Sequence, residues 1–306
     1  VHNFFEADHL MKKHSVTLYI ILALGITWLL WIPSLLLVSA KGYPLPTIDY
    51  LVANRSFELI NGEHFWMVLS FSLAVYGPLL AGLIVAWREG GTGQVKTWFA
   101  PVLNWRVKPL WVILILLIPL LIFLVPLALG WLPGLVKAKE GYLAPSLLFV
   151  LGLFVYQCLT SGLGEEPGWR GFLLPHWQAQ LGPEKAAWWA GVVWGVWHFP
   201  FTIYFTLRGL NGLDGGAQMA VLLPSLIGQV MSLIGMTYLY AWVMEKTKSL
   251  LVAILFHAMS NTASAVLMGS VTADPMIGLV AAAMPWLVVI LFEKTALGRL
   301  AGWKAA

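Results

Sequence analysis

The sequence is poor in charge. Aspartate, glutamate, lysine and arginine together make up 10% of its 306 residues, against roughly 25% in an ordinary soluble domain. No polar stretch is long enough to fold as a soluble domain of its own. The single cysteine, Cys158, excludes an intramolecular disulfide. The formal net charge is only +4, and no nucleic-acid partner is expected. There is no convincing internal repeat, which argues against a transporter built from repeated halves. There is also no H-E-x-x-H run, the spacing by which one helix presents two zinc ligands and a base.

What is abundant is apolar sequence, at 59% of the chain. A bilayer crossing takes ~20 predominantly apolar residues. Candidate spans are 16–39, 65–87, 110–132, 146–166, 187–206, 218–244, 249–269 and 275–292. This predicts an all-α polytopic membrane protein. A single transmembrane domain, 1–306, of about eight helices encloses a polar intramembrane cavity, and membrane lipid is its first partner. The apolar run 16–38 exceeds the 7–15 residues or so of a signal-peptide core, so it is read as a retained first helix.

Lys and Arg in the connections set the orientation. On one side lie Lys12, Lys13, Arg88, Lys96, Arg106, Lys108, Arg170, Lys185, Lys246, Lys248, Lys294, Arg299 and Lys304; on the other lie Lys41, Arg55, Lys137, Lys139 and Arg208. The bias places both termini and the 88–109 and 165–186 loops in the cytoplasm, with 40–64 outside. The localisation is an integral membrane protein, of the plasma membrane if the host is a prokaryote. Trp66, Trp87, Trp111, Trp131, Trp188, Trp189 and Trp242 fall near span ends, as an interfacial aromatic belt would. The segment 171–186, with Phe172, Leu173, Leu174 and Trp177 among polar residues, is expected to lie along the cytoplasmic interface. In the sixth span, Ser225, Gly228, Ser232 and Gly235 make a small-residue stripe suited to close packing.

Against this apolar background the ionisable residues at membrane depth are costly, which makes them functional candidates. Glu165 and Glu166 end the fourth span, with Arg170 four residues on, so Glu166 and Arg170 share a helix face and can pair. Pro167 disfavours helical geometry at Glu166, yet a kinked helix is tolerated where neighbours re-satisfy the backbone. His198 lies inside the fifth span, beside Gly191-x-x-x-Gly195. His257 and Asn261, four apart in the seventh, point the same way. Each has a plain reading: a charged cap on a span, a histidine bonded to a neighbouring helix, polar groups holding helices together. Taken together, and with the fourth span continuing as a kinked helix to about residue 174, all fall ~12–18 Å from the cytoplasmic ends. That depth, shared by three segments, points to one wet cavity.

The three patterns are Glu165-Glu166-Pro-Gly-Trp-Arg170, Trp194-Gly-Val-Trp-His198 and His257-Ala-Met-Ser-Asn261. In this order they resemble the CPBP family, the CAAX-protease and bacteriocin-processing membrane proteins also called Abi, over roughly residues 145–265. Trp194 stands where that family more often has Phe. The resemblance implies an intramembrane endopeptidase acting on membrane-associated peptide or protein substrates, CAAX-type and lipidated among them. It implies Glu165 as general base, His198 positioning the water, and His257 and Asn261 donating to the oxyanion. Arg170 would pair with Glu166 and hold the two carboxylates in place. The family carries a metalloprotease label, and Glu165, His198 and His257 are all of zinc-ligand type. Asn261 is a poor zinc ligand and suits a hydrogen-bond donor better, so the expectation is a glutamate-activated water with no obligatory zinc. The alternatives are a non-proteolytic scaffold or bacteriocin-immunity protein of the same fold, and an ion-coupled transporter using the same Glu and His as a relay.

Overall fold

A computed structural model describes residues 13–293. In chain order come α1 (Lys13–Lys41), α2 (Ile48–Asn54), α3 (Gly62–Ala74), α4 (Gly77–Phe99), α5 (Pro109–Trp131) and the short strand β1 (Val136–Ala138). Next are α6 (Leu147–Gln157), α7 (Leu163–Gly168), α8 (Leu174–Leu181), α9 (Pro183–Trp197) and α10 (Phe199–Gly209). The chain then forms α11 (Gly215–Thr247), α12 (Leu250–Gly269), β2 (Val271–Ala273) and α13 (Pro275–Glu293). Six helical runs among the described residues are long and apolar enough to cross a bilayer, or seven if α3 and α4 form one bent span. The fold is an all-α polytopic membrane fold. Its large exposed apolar side chains, Leu29, Leu36, Leu147 and Leu148 among them, form the surface that lipid covers.

Two predicted spans differ from single straight helices. The 65–87 span is α3 and α4, bent by 57° at the break between them. The 187–206 span is split at His198 into α9 and α10, of 15 and 11 residues. Pro200, just beyond, cannot donate to the helix ladder, and at the break the Trp197 carbonyl accepts from the Trp28 indole N–H at 3.0 Å. By contrast the fourth span is longer than predicted: α6, α7 and α8 make one run, Leu147–Leu181.

The expected interfacial segment 171–186 is therefore mostly the end of that run. Phe172, Leu173 and Leu174 are buried in the core, where Tyr19 of α1 stacks on Phe172 with ring centroids 4.8 Å apart. The tryptophan belt also needs correction. Trp66, Trp87, Trp131 and Trp189 are exposed, but Trp111 and Trp242 are buried and pack edge to face with each other at 4.8 Å. Position near a span end does not say which face of the helix a side chain occupies. The small-residue stripe of α11 likewise packs at one end only. Gly235 abuts Pro285 and Trp286 of α13, whereas Gly228 faces open space.

Glycines let the helices around the site approach closely. A Cβ on Gly191 would come within 2.5 Å of the Ile234 Cα, and one on Gly195 within 2.8 Å of Val230. The GxxxG pair thus seats α9 against α11. With little hydrophobic drive between helices in lipid, such contact area is a main source of association.

The connections gather at two ends. At one, β1 pairs antiparallel with β2, and Arg55 beyond α2 donates to the Leu143 carbonyl. At the other, Asn104 donates to the Lys248 carbonyl and Ser249 donates to that of Asn104. Arg170 is buried within the bundle, so it leaves the orientation count, which becomes twelve Lys and Arg against five. Lys12, Lys294, Arg299 and Lys304 of that count, and the predicted placement of both termini, lie outside the described residues.

The 88–109 loop is expected in the cytoplasm and 40–64 outside it. In a Cys158→Ser background, impermeant thiol reagent applied to intact cells should modify Ser56→Cys and spare Thr97→Cys. Both positions are exposed, so the reverse pattern would invert the orientation.

Candidate active site

Glu165 and Glu166 lie in α7, in the middle of the run Leu147–Leu181. Widened π turns at Cys158–Gly162 and Trp169–Leu173 flank this helix. Such turns recur at functional sites, and here they bracket the helix that carries Pro167. The Pro167 carbonyl accepts from the Trp98 indole N–H at 3.1 Å. Gly164 faces the break between α3 and α4: a Cβ there would lie 2.7 Å from the Val75 carbonyl oxygen. Gly168 abuts Pro78 and the Tyr19 hydroxyl. The glutamates are presented on the opposite side, toward α9, α11 and α12.

Glu166 is fully buried. Its Oε1 accepts from Arg170 Nη1 at 3.3 Å and from His257 Nδ1 at 2.6 Å. The Arg170 guanidinium is sandwiched between the rings of Trp194 and Tyr240, 3.9 Å from each centroid. Desolvated cation–π contacts of this kind contribute about 2 kcal/mol or more. Glu165 has its Oε2 fixed by the Trp194 indole N–H at 2.7 Å. Its Oε1 lies 3.8 Å from His257 Nε2, beyond direct hydrogen-bond range.

The ring nitrogens can be assigned from their partners. His198 Nδ1 lies 2.8 Å from the Trp194 carbonyl oxygen. A carbonyl only accepts, so Nδ1 carries the proton and Nε2 is left as acceptor. His257 Nδ1 faces a carboxylate that is itself paired with Arg170, so it too donates. His257 Nε2 then donates only when the ring is an imidazolium. Asn261 Nδ2 donates to Gln157 Oε1 at 2.9 Å.

These groups meet at a cavity of about 590 Å³, whose walls include Glu165, His198, His257 and Asn261. Glu166 and Arg170 are not among its lining residues; they sit behind the wall and hold it. All six sequence-predicted residues therefore converge, four at the surface of the cavity and two in support. Three further residues belong to the same cluster. Trp194 entered the sequence reading only as a motif aromatic, yet it touches Glu165, Arg170 and His198. Gln157 and Tyr240 were not singled out, and a lone polar side chain within an apolar span was the available signal for each. Among the described residues no group of three or more His, Cys, Asp or Glu is placed to hold a metal ion.

A helical membrane protein with carboxylates, histidines and amides converging on one cavity is the class that fold and site define. Residues 146–263 match the family described as Type II CAAX prenyl endopeptidase Rce1-like. That interval contains all three motifs, and the match agrees with the CPBP resemblance read from them. The family supports a membrane protease. No curated protein matches the chain.

Arg170→Met should strand the Glu166 carboxylate in the bundle. Breaking a buried pair by removing one partner costs about 3–5 kcal/mol, to be seen as a lowered melting midpoint in detergent. Arg170→Lys should recover only part of this, because an ammonium cannot fill the flat slot between Trp194 and Tyr240. Full recovery by lysine would show that charge alone, without the stacked plane, supports Glu166.

Proposed function

We propose that this protein is an intramembrane endopeptidase that hydrolyses a peptide bond of a membrane-associated substrate, with a water activated by Glu165. The observation that carries the reading is the asymmetry of the Glu165 carboxylate. One oxygen is tied to Trp194; the other faces His257 across a gap at the cavity wall. A carboxylate fixed on one side and open on the other can take a proton from a water and deliver it elsewhere.

In the proposed reaction His198 Nε2 accepts a hydrogen bond from the water and Glu165 removes its proton as the oxygen attacks the carbonyl carbon. The carbonyl electrons move onto oxygen. That oxyanion is met by the imidazolium N–H of His257 and by the Asn261 amide, which Gln157 orients. Donors aimed at developing charge in a water-poor site are a large source of rate enhancement. Glu165 then returns the proton to the leaving nitrogen as the C–N bond breaks, giving a carboxylic acid and an amine. Glu166 and Arg170 keep His257 oriented and offset its charge.

The cavity also extends between α5, α11 and α13, along Ile122, Phe123, Leu233, Met236 and Ala282. An apolar wall of this kind suits an apolar segment or a lipid chain on the substrate. The reading assigns no step to a metal.

Glu165→Gln keeps the shape and the Trp194 hydrogen bond but removes the base. Cleavage of a membrane-peptide panel should fall by at least ~10²-fold, with the melting midpoint nearly kept. Near-normal cleavage would sink the assignment. Activity should also survive chelation; loss on chelation with return on adding stoichiometric zinc would move the mechanism to a metal centre.

A further inference from the structure

The Glu166–Arg170 pair is closed on one side only. Arg170 Nη1 donates to Glu166 Oε1, and the same oxygen accepts from His257 Nδ1. Glu166 Oε2 and Arg170 Nε and Nη2 are buried without a hydrogen-bond partner among the described residues. An arginine carries several N–H donors in one plane, and an ionised carboxylate accepts on both oxygens. Trp194 and Tyr240 cover the two faces of the guanidinium, so the group that meets Nε and Nη2 must lie in its plane. The Tyr19 hydroxyl of α1 is likewise buried and unpartnered. It lies against Gly168, which stands between Glu166 and Arg170 in the chain, and Tyr19 is within electrostatic reach of both charges.

Buried charged groups are rarely left in this state. We propose that a buried water molecule bridges Glu166 Oε2 to the Nε–Nη2 edge of Arg170, with the Tyr19 hydroxyl completing its shell. The chemistry of the set selects the ligand. A cation would meet the guanidinium and an anion would meet the charge on Oε2, whereas a neutral molecule that both donates and accepts serves all these groups at once. Protein encloses the atoms, which favours the smallest such molecule, and internal waters make about three hydrogen bonds. The bridge has a consequence for the cavity. A direct two-point fork would turn both Glu166 oxygens toward Arg170. With water in the second position, Oε1 is left to hold Arg170 and His257 together, and so orients the His257 ring at the cavity wall. This water stands behind that wall, apart from the one that reacts in the proposed hydrolysis, and it is bound whether or not the cavity cleaves a peptide.

Two measurements test the site, and neither uses cleavage. A density map of the unsubstituted protein in lipid nanodiscs, at a resolution that shows ordered water, should hold a water within hydrogen-bond distance of Oε2 and of Nε or Nη2. A two-point Glu166–Arg170 fork, or a protein group in that place, would overturn the proposal. In solution, a synchrotron X-ray pulse converts bound water to hydroxyl radical in place, and the radical modifies the side chain beside it. Tyr19 is 0% exposed and outside the cavity lining, whereas Trp111 is 7% exposed, so accessibility alone would favour modification of Trp111. Several-fold greater modification of Tyr19 is expected instead. It should fall to the Trp111 level in Glu166→Leu/Arg170→Met, which exchanges the pair for apolar side chains of similar size. Tyr19 modified no more than Trp111, or modified equally with and without the pair, would overturn the proposal. Should the double variant not fold, the map and the comparison within the unsubstituted protein decide.

Discussion

Two adjacent carboxylates in the middle of a membrane helix impose the constraint on which the rest of this structure depends. A charge taken from water into a low-dielectric interior carries a penalty of several kcal/mol even after relaxation. Glu166 meets it with two partners on one oxygen, Arg170 and His257. Arg170 brings a penalty of its own, offset by the π faces of Trp194 and Tyr240. The compensation therefore draws on α7, α9, α11 and α12 together, and the helices must close around the cluster as a set. Glu165, next in the chain, has its Oε2 bonded to Trp194 and keeps an oxygen toward the cavity. The supported carboxylate holds the scaffold, and the less supported one is available for chemistry.

Around the site the backbone departs from regular helix at the break between α3 and α4, at the π turns around α7, and at His198. All three border the same cavity, through Val75, Ser161 and Trp197. In hydrocarbon, irregular backbone survives only where protein buries it or where it lines a polar space. The side chains around these breaks do that burying. Tryptophan N–H groups reach the Trp197, Phe71 and Pro167 carbonyls, and Thr27 donates to Ala74 while accepting from Trp197. Tryptophan combines a large apolar face with one donor, which suits it to both tasks at once. Gly164 and Gly168 bring the glutamate helix against the α3–α4 break, so the irregular segments become contiguous.

Much of the architecture could be read without coordinates, because lipid acts on the chain residue by residue. Every backbone group must be satisfied within its own segment and every outward side chain must be apolar, so spans appear as runs of composition. The same background makes Glu165, Glu166, Arg170, His198, His257 and Asn261 conspicuous, and the i, i+4 spacing of Glu166 with Arg170 specifies a pair before any fold is known. The Gly191-x-x-x-Gly195 spacing permits close approach of a helix without saying which one, and α11 takes that place.

What the tertiary structure alone decided are the contacts between residues far apart in the chain. Asn261 is oriented by Gln157, 104 positions away, and Glu165 is fixed by Trp194, 29 positions away. No local rule links those pairs, since each depends on which helices adjoin and how each is rotated. For the same reason Trp111 and Trp242 turned inward while Trp66 and Trp131 faced out, and the apolar run 187–206 broke at His198. Composition and spacing report what each segment can tolerate at a given depth in the membrane; only packing sets which of its faces meets lipid, a neighbour or the cavity.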